Sequence, residues 1–294
     1  MTLFAHQHFV FLTGDLGFQA LEPLRALMGE RFINAGVAEQ NMISVAAGLA
    51  QQGMMTWVYS IAPFCYARPF EQIRNDVCLH RFPVKLVGNG GGYGYGAMGP
   101  SHHAIEDYGA LLTLPGMQAW IPMFATDVLP AVLQMAAVNT PAYLRLGRCE
   151  CPNHYTPPPF APWRHLLSGG GLPVVVTGPL VGSLLATCLT MDVAVRPDIW
   201  GVTLLPVTAP TIPQALLAQI GQQRRLCVVE EHVLHGGVGH MLAHTLLTSG
   251  IAVDTFHHAY ARGYPSATYG SQQFHRRESG LDTPALLQLM GISP

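Results

Sequence analysis

The stretch Arg31-Phe-Ile-Asn-Ala-Gly-Val-Ala-Glu-Gln-Asn41 decides the fold of this chain. A short apolar run at Phe32 and Ile33 breaks at Gly36, and a helical pattern of small and apolar residues begins at Glu39 and continues to Gly53. The stretch therefore predicts a strand that ends, and a helix that begins, within about five residues. In an open α/β sheet, such junctions lie at the carboxyl edge of the strands, where ligands bind.

Glu39 falls in the first turn of the predicted helix, where the helix dipole favours a carboxylate. An acid at this position is also the usual start of an ordinary helix. Its place at the ligand-binding edge makes it a candidate functional group as well. The residues alone leave both interpretations open.

Strands and helices alternate along the whole chain, which predicts an α/β fold of two doubly wound domains with parallel sheets. In the first half, strands are predicted at 9–12, 32–33, 54–60, 84–88, 117–121 and 142–146, with helices at 18–28, 39–53, 67–79, 105–113 and 126–138. Residues 151–171 are rich in proline near their start and predict an extended linker. The predicted domains are therefore residues 1–150 and 172–294.

The composition limits the classes of function. Of 294 residues, 49% are hydrophobic and 11% are charged, and the formal net charge is -2, so a nucleic-acid or anionic-membrane partner is not expected. A surface this poor in charge indicates coverage by another polypeptide. Six cysteines without a C-x-x-C pair, and a start without a signal or membrane-spanning pattern, predict a cytoplasmic protein.

The turn Gly36-Val-Ala-Glu-Gln-Asn41 resembles the pyrimidine-binding half of transketolase and 1-deoxyxylulose 5-phosphate synthase, which are thiamine-diphosphate enzymes. The resemblance extends over essentially the whole chain. It implies that Glu39 is both a catalytic and a cofactor-binding residue. In the family, this acid bonds to a ring nitrogen of the cofactor's aminopyrimidine and stabilises the tautomer that activates the thiazolium carbon.

A second likeness lies at the end of a glycine-rich loop, residues 88–103. The sequence Gly99-Pro-Ser-His-His-Ala-Ile-Glu106 is similar to the transketolase loop whose histidine lines the substrate channel. The resemblance implies a catalytic proton-transfer role for His102, a task suited to the pKa range of imidazole. Ser101 and His103 are implied as further substrate-binding residues, with His103 at a position that varies in the family.

Aromatic residues after the strand at 54–60 are expected to flank the cofactor's pyrimidine ring. An ungapped count from Arg74 puts the family's two aromatic positions at Ala62 and Cys65, with Phe64 and Tyr66 beside them. The resemblance therefore implies that Phe64 or Tyr66 contacts the ring, or that the slot is altered. An apolar slot would orient the ring and keep out water.

Arg148 follows the sixth predicted strand at the same edge of the sheet. The family has an arginine at the matching position that holds the substrate's phosphate, and the forked guanidinium suits that task. Two positions depart from the family. Met98 replaces an aspartate that reads a sugar hydroxyl, and the phosphate-binding histidine falls near Gly90, so the substrate is not necessarily an ordinary sugar phosphate.

The chain has no Gly-Asp-Gly motif followed by Asn-Asn, which the family uses to bind diphosphate and a divalent metal; Gly14-Asp15-Leu16 does not match it. The chain thus resembles the C-terminal half of a transketolase. The resemblance implies a split enzyme whose separate partner subunit carries the diphosphate and Mg²⁺ or a similar ion. By family analogy, the assembly is a heterotetramer.

The function expected from the resemblance is two-carbon ketol transfer from a ketose donor to an acceptor. One alternative is an acyl-transferring relative, either the beta-type subunit of a 2-oxo-acid dehydrogenase or a deoxyxylulose phosphate synthase. Another is a non-catalytic regulatory partner. Ser101-His102 favours transketolase, Glu39 argues against a non-catalytic partner, and Met98 argues mildly for one.

Overall fold

A computed structural model describes residues 8–292 of the chain. The strands of the first half are β1 Phe9–Thr13, β2 Phe32–Asn34, β3 Met55–Ile61, β4 Lys85–Asn89, β5 Gln118–Trp120 and β6 Ala142–Leu146. The helices between them are α1 Glu22–Met28, α2 Glu39–Gln51, α3 Ala62–Tyr66, α4 Phe70–Gln72, α5 Asp107–Leu111 and α6 Val128–Ala137. These six strands pair in parallel in the order β5-β6-β4-β3-β1-β2.

The central strands of this sheet are apolar on both faces, as the continuous run in β1 predicts. Phe11 of β1 lies between Phe32 of β2 and Trp57 of β3 in the strand register. Because the six strands are parallel, their carboxyl ends meet at one edge. The segments that begin at Ala35, Ala62, Gly90 and Gly147 all leave the sheet from that edge.

A second sheet occupies the other half of the chain. Its strands are β7 Trp163–Leu167, β8 Pro173–Val176, β9 Asp198–Val202, β11 Arg225–Val229 and β12 Thr255–Ala259, in the order β12-β11-β8-β9-β7. The accompanying helices are α7 Val181–Cys188, α8 Gln214–Gln223, α9 Val238–Thr248, α10 Gln272–Glu278 and α11 Thr283–Leu289. The two sheets with their flanking helices confirm the predicted α/β class with two domains.

The predicted linker, residues 151–171, contains a strand. Its proline-rich part ends before Trp163, and β7 then pairs antiparallel with β9. Arg164 fixes β7 to the first domain, because its guanidinium donates to both carboxylate oxygens of buried Asp127 at 2.9 and 2.6 Å. The secondary structure of the second domain thus begins inside the range predicted as a linker.

The second half also completes the first sheet. The strand β10, Leu204–Leu205, pairs antiparallel with β5, so that Leu204 lies opposite Trp120 and Leu205 opposite Ala119. Among residues 8–292 the first sheet therefore has seven strands, one of them from the second half of the chain. The two halves are joined by backbone hydrogen bonds as well as by side chains.

One predicted helix is irregular. Residues 67–79 form the short helix α4 and then a π-helical segment, Ile73–Cys78, in place of one α-helix. Pro69 lies directly before α4 and separates it from α3, because a proline lacks the backbone N–H that a helix interior requires. Within residues 8–292, no helix has both the length and the apolar character needed to cross a membrane.

Candidate active site

Glu39 is the first residue of α2, directly after the turn that leaves β2. Gly36 makes this turn with a φ of 70°, a backbone conformation that residues with a Cβ rarely adopt. The turn buries Glu39 to 4% exposure. Its carboxylate accepts a hydrogen bond of 3.4 Å from the Ser60 hydroxyl near the end of β3, so the start of α2 and the end of β3 meet at this acid.

Arg68 is the main partner of Glu39, and the sequence predictions did not include it. Its Nη1 atom donates to both carboxylate oxygens, at 3.2 Å to Oε1 and 3.1 Å to Oε2. The Arg68 side chain remains 46% exposed. The sequence shows Arg68 as a basic residue shortly after the candidate aromatic positions. Its pairing with Glu39 could not be predicted, because it depends on how the chain between the two residues folds.

Phe64 and Tyr66 lie on different sides of α3. Arg68 lies two residues beyond the end of α3, and its guanidinium carbon lies 3.7 Å from the centre of the Phe64 ring. Tyr66 is 7% exposed, and its hydroxyl donates to the carboxylate of Glu106 at 3.3 Å. Phe64 therefore adjoins the Glu39–Arg68 pair, whereas Tyr66 packs into the core.

The two positions matched by the ungapped count, Ala62 and Cys65, are fully buried. Burial, with a smaller effect of the Glu39 charge, raises the pKa of the Cys65 thiol to about 12. The thiol is therefore protonated near neutral pH and is a poor nucleophile.

His102 reaches the same group of residues from the glycine-rich loop. Its ring centre lies 5.2 Å from that of Phe64, in an edge-to-face arrangement, and 5.8 Å from that of Tyr95. The Ser101 hydroxyl is 2.9 Å from His102 Nδ1. The structure thus brings Glu39, Phe64, Ser101 and His102 together through a continuous series of contacts that includes Arg68.

His103 has a different position, although it is adjacent in sequence. It is 2% exposed, its Nε2 atom donates to the Gly96 carbonyl at 2.8 Å, and its Nδ1 atom accepts from the Tyr264 hydroxyl at 2.9 Å. Burial lowers the pKa of His103, which is consistent with a neutral ring in this tautomer. Both ring nitrogens are engaged within the chain, so His103 holds the loop.

Arg148 lies beside an open cleft of about 700 Å³ between the two domains. Its side chain is 88% exposed, and its Nη2 atom is 3.8 Å from the carboxylate of Glu150. The cleft is also lined by residues of the glycine-rich loop and of α10: Gly94, Gln272, Gln273, Arg276 and Arg277. The lining includes three arginines, whose guanidinium groups suit an anionic ligand, and two acids, Glu150 and Asp282.

The family of this chain follows from comparison with known proteins. Residues 5–153 match the family described as transketolase, pyrimidine binding domain, which covers just over half of the chain. The chain belongs to the transketolase family. Membership of the transketolase family implies that the chain takes part in thiamine-diphosphate chemistry through a pyrimidine-binding domain.

Curated relatives of this transketolase-family chain include single subunits and longer enzymes. One subunit of the apulose-4-phosphate transketolase of Actinobacillus succinogenes is 29% identical over 267 residues, which are 88% of this chain and 84% of that protein. The 1-deoxy-D-xylulose-5-phosphate synthase 2 of Geobacter sulfurreducens is 29% identical over 286 residues, which are 93% of this chain but 43% of that enzyme. The chain thus matches a subunit nearly end to end and less than half of the longer enzyme.

A solved structure supports the same assignment. A protein described as a split gene transketolase, in an inactive beta4 tetramer, superposes with a TM-score of 0.79 and 26% identity. The match covers 97% of this chain and 91% of that chain. The match therefore extends over both domains of the chain. The chain corresponds to a C-terminal-half subunit of the transketolase family.

Proposed function

We propose that this chain is the pyrimidine-binding subunit of a split, thiamine-diphosphate-dependent transketolase that transfers a two-carbon ketol unit from a ketose to an acceptor. The observation that carries the proposal is the buried Glu39 carboxylate at the start of α2, with Phe64 and His102 in the same group of contacts. The subunit-length relatives support the split arrangement.

The residues around Glu39 fit the aminopyrimidine half of the cofactor. A nearly buried carboxylate is a strong acceptor for a ring N–H, and the Arg68 guanidinium that covers it belongs to a half-exposed side chain that can rotate toward solvent. Phe64 supplies an adjacent apolar ring. When bound, thiamine diphosphate supplies the nucleophilic thiazolium carbon that accepts the two-carbon unit.

This chain's own groups have three tasks in the proposal. Glu39 bonds to the pyrimidine and sets its tautomer, and Phe64 orients the ring and limits access of water. His102, aligned by the Ser101 hydroxyl, exchanges a proton with a substrate hydroxyl or carbonyl oxygen. Arg148 holds an anionic group of the substrate in the interdomain cleft.

The diphosphate and its Mg²⁺ or similar ion are assigned to a separate polypeptide. Residues 8–292 contain no group of three or more His, Cys, Asp or Glu side chains arranged to hold a metal ion. The subunit-length relatives, and a sequence without the Gly-Asp-Gly and Asn-Asn motifs, support a site built from two chains. By analogy with the family, the assembly is a heterotetramer with two cofactors.

The test is reconstitution. A candidate partner of similar length that carries the Gly-Asp-Gly and Asn-Asn motifs is purified with and without this chain, and two-carbon transfer is followed with phosphorylated and non-phosphorylated ketoses. We expect turnover and tight cofactor binding only for the mixture. Tight, magnesium-dependent binding of thiamine diphosphate by this chain alone would refute the split site.

Acyl transfer from a 2-oxo acid is the second candidate, because the deoxyxylulose phosphate synthase of Geobacter sulfurreducens matches 93% of this chain. The same reconstituted complex distinguishes the two. Release of carbon dioxide from a 2-oxo acid, without turnover of any ketose, would favour the acyl-transfer function.

A further inference from the structure

The glycine-rich loop, residues 88–103, carries Ser101 and His102 from the first domain, yet several of its anchors belong to the second domain. Tyr93 and His103 are buried side chains of this loop, with 0% and 2% exposure. The Tyr93 hydroxyl donates to the Gly263 carbonyl at 2.8 Å and lies 3.1 Å from the Ser279 hydroxyl. His103 is held by Tyr264.

Glu231 makes a further attachment, through a charged group. It follows β11, is 5% exposed, and accepts a hydrogen bond of 2.6 Å from the Tyr93 backbone N–H. The same carboxylate accepts from Gln272 Nε2 at 3.0 Å and from Arg276 Nε at 2.6 Å, both on α10. One buried acid therefore joins the loop, β11 and α10.

The loop is shaped to approach this acid closely. A Cβ added at Gly92 would lie 2.6 Å from Glu231 Oε1, and a Cβ at Gly96 would lie 3.1 Å from the backbone nitrogen of Gln272. Both glycines also have positive φ, at 66° and 50°. The absence of side chains at these positions lets the loop lie directly against the second domain.

We propose that Glu231 is a positioning residue for the reaction: by fixing Tyr93 and α10, it holds the loop so that Ser101 and His102 face the site containing Glu39. The second domain thereby acts as the support that orders the substrate-side loop. The link to turnover rests on the proposed function, whereas the ordering of the loop does not. Glu231 acts through Tyr93 and α10, since no hydrogen bond joins it to His102 within residues 8–292.

The neighbouring acid provides a matched control. Glu230 is also buried, but it accepts from the Val238 and Gly239 backbone N–H groups and from the Tyr108 hydroxyl, and it lies 2.7 Å from His258 Nε2. These partners all lie outside residues 88–103. Glu230→Gln therefore perturbs the same strand end and domain interface without removing a contact to the loop.

The experiment is hydrogen–deuterium exchange on the full chain, comparing wild type, Glu231→Gln and Glu230→Gln. Glu231→Gln should speed exchange in the peptide containing Tyr93 to His103 by about tenfold or more, as expected for loss of charge-assisted hydrogen bonds. Exchange there should stay near the wild-type rate in Glu230→Gln. Unchanged loop exchange in Glu231→Gln, or an equal rise in both variants, would overturn the proposal.

A milder variant covers the case in which Glu231→Gln fails to fold. Tyr264→Phe removes only the hydroxyl that His103 Nδ1 accepts from. Faster exchange confined to the same loop peptide supports second-domain anchoring. A rate equal to wild type counts against it.

The complex reconstituted with its partner tests the catalytic consequence. Loosening the loop should lower kcat and raise KM for the ketose by about tenfold each, while cofactor affinity stays unchanged, because Glu39 is untouched. A loosened loop with wild-type kinetics would overturn the link to catalysis. If the wild-type complex itself shows no turnover, the proposed function fails, and the exchange result still decides the positioning of the loop.

Discussion

Arg68 lies against the Glu39 carboxylate so that one guanidinium nitrogen, Nη1, is 3.2 Å from Oε1 and 3.1 Å from Oε2. This pair occupies the point where the pyrimidine is proposed to bind. The two side chains differ in exposure to solvent, because Glu39 is nearly buried whereas Arg68 is 46% exposed. A ligand that displaces Arg68 therefore gains a preformed acceptor and releases a side chain that water can solvate.

Replacing Glu39 by glutamine is expected to lower turnover of the reconstituted enzyme at least about 100-fold, since a group that acts in proton transfer typically contributes that much. Stability should change by no more than about 1 kcal/mol, because the amide still accepts from Ser60 and Arg68 and a buried charge is removed. Steady-state kinetics and urea unfolding measure the two effects. Retention of a tenth or more of the activity would contradict the role of Glu39.

Replacing Arg68 by glutamine is expected to reduce the free energy of unfolding by about 1 kcal/mol, a small value because Arg68 is half exposed and screened by water. In a double-mutant cycle with Glu39→Gln, the coupling energy should be of similar size. Urea unfolding of the four proteins measures it. A coupling energy indistinguishable from zero would show that the ion pair does not persist in solution.

Phe64→Leu and Tyr66→Phe distinguish the two candidate aromatic residues. Phe64→Leu should weaken cofactor binding in the reconstituted complex by about fivefold, as expected for loss of an aromatic contact of about 1 kcal/mol. Tyr66→Phe removes a hydroxyl bonded to Glu106 and should leave cofactor affinity unchanged. The reverse pattern, measured by cofactor titration, would assign the ring contact to Tyr66.

Arg148→Gln is expected to raise KM for a phosphorylated ketose by about tenfold or more, because a charge-assisted hydrogen bond is lost. KM for the matching neutral ketose should change little. Arg224→Gln is the control, since Arg224 is an exposed arginine paired with Asp254 away from the cleft. Equal losses for both substrates would remove Arg148 from the anion-binding role.

Stability should fall as the pH drops below about 6.5. Burial lowers the pKa of His103, His232 and His275 beneath the ordinary value of 6.5. The unfolded chain therefore takes up protons first, and the free energy of unfolding falls by up to about 1.4 kcal/mol per pH unit for each histidine.

Urea unfolding at pH 7.5 and at pH 5.5 checks this expectation. His232 is the sharpest case, because its Nε2 atom accepts from the Gly109 N–H and must lose that bond on protonation. His232→Gln should therefore reduce the pH dependence. Equal stability of the wild type at both pH values would contradict the assignment of these histidines as neutral.

Local pattern predicted the strands and the loops that bear the candidate residues, because apolar runs and glycine breaks are properties of short segments. The orientation of α3 could not be predicted from a short segment. Both Phe64 and Tyr66 follow β3, and only the helical geometry determines which of them lies beside Arg68. The same holds for His103, whose partner Tyr264 is distant in sequence. Its burial could not be inferred from the loop alone.

Arg68 and Glu231 were missed for a related reason. Arg68 contacts Glu39 and Glu231 contacts Tyr93, and in each case only the folded chain brings the two residues together. The roles of Glu39, Phe64, Ser101, His102 and Arg148 remain proposals. The α/β class and the transketolase family are confirmed.

The strand β10 has a practical consequence for dissecting this protein. Because Leu204 and Leu205 cover the open side of β5, a fragment that stops at the proline-rich segment would leave that strand's backbone groups unpaired and ready to associate with other chains. The pyrimidine-binding half expressed by itself is therefore expected to self-associate. Chimeras that exchange this half between relatives should have their junction after Leu205.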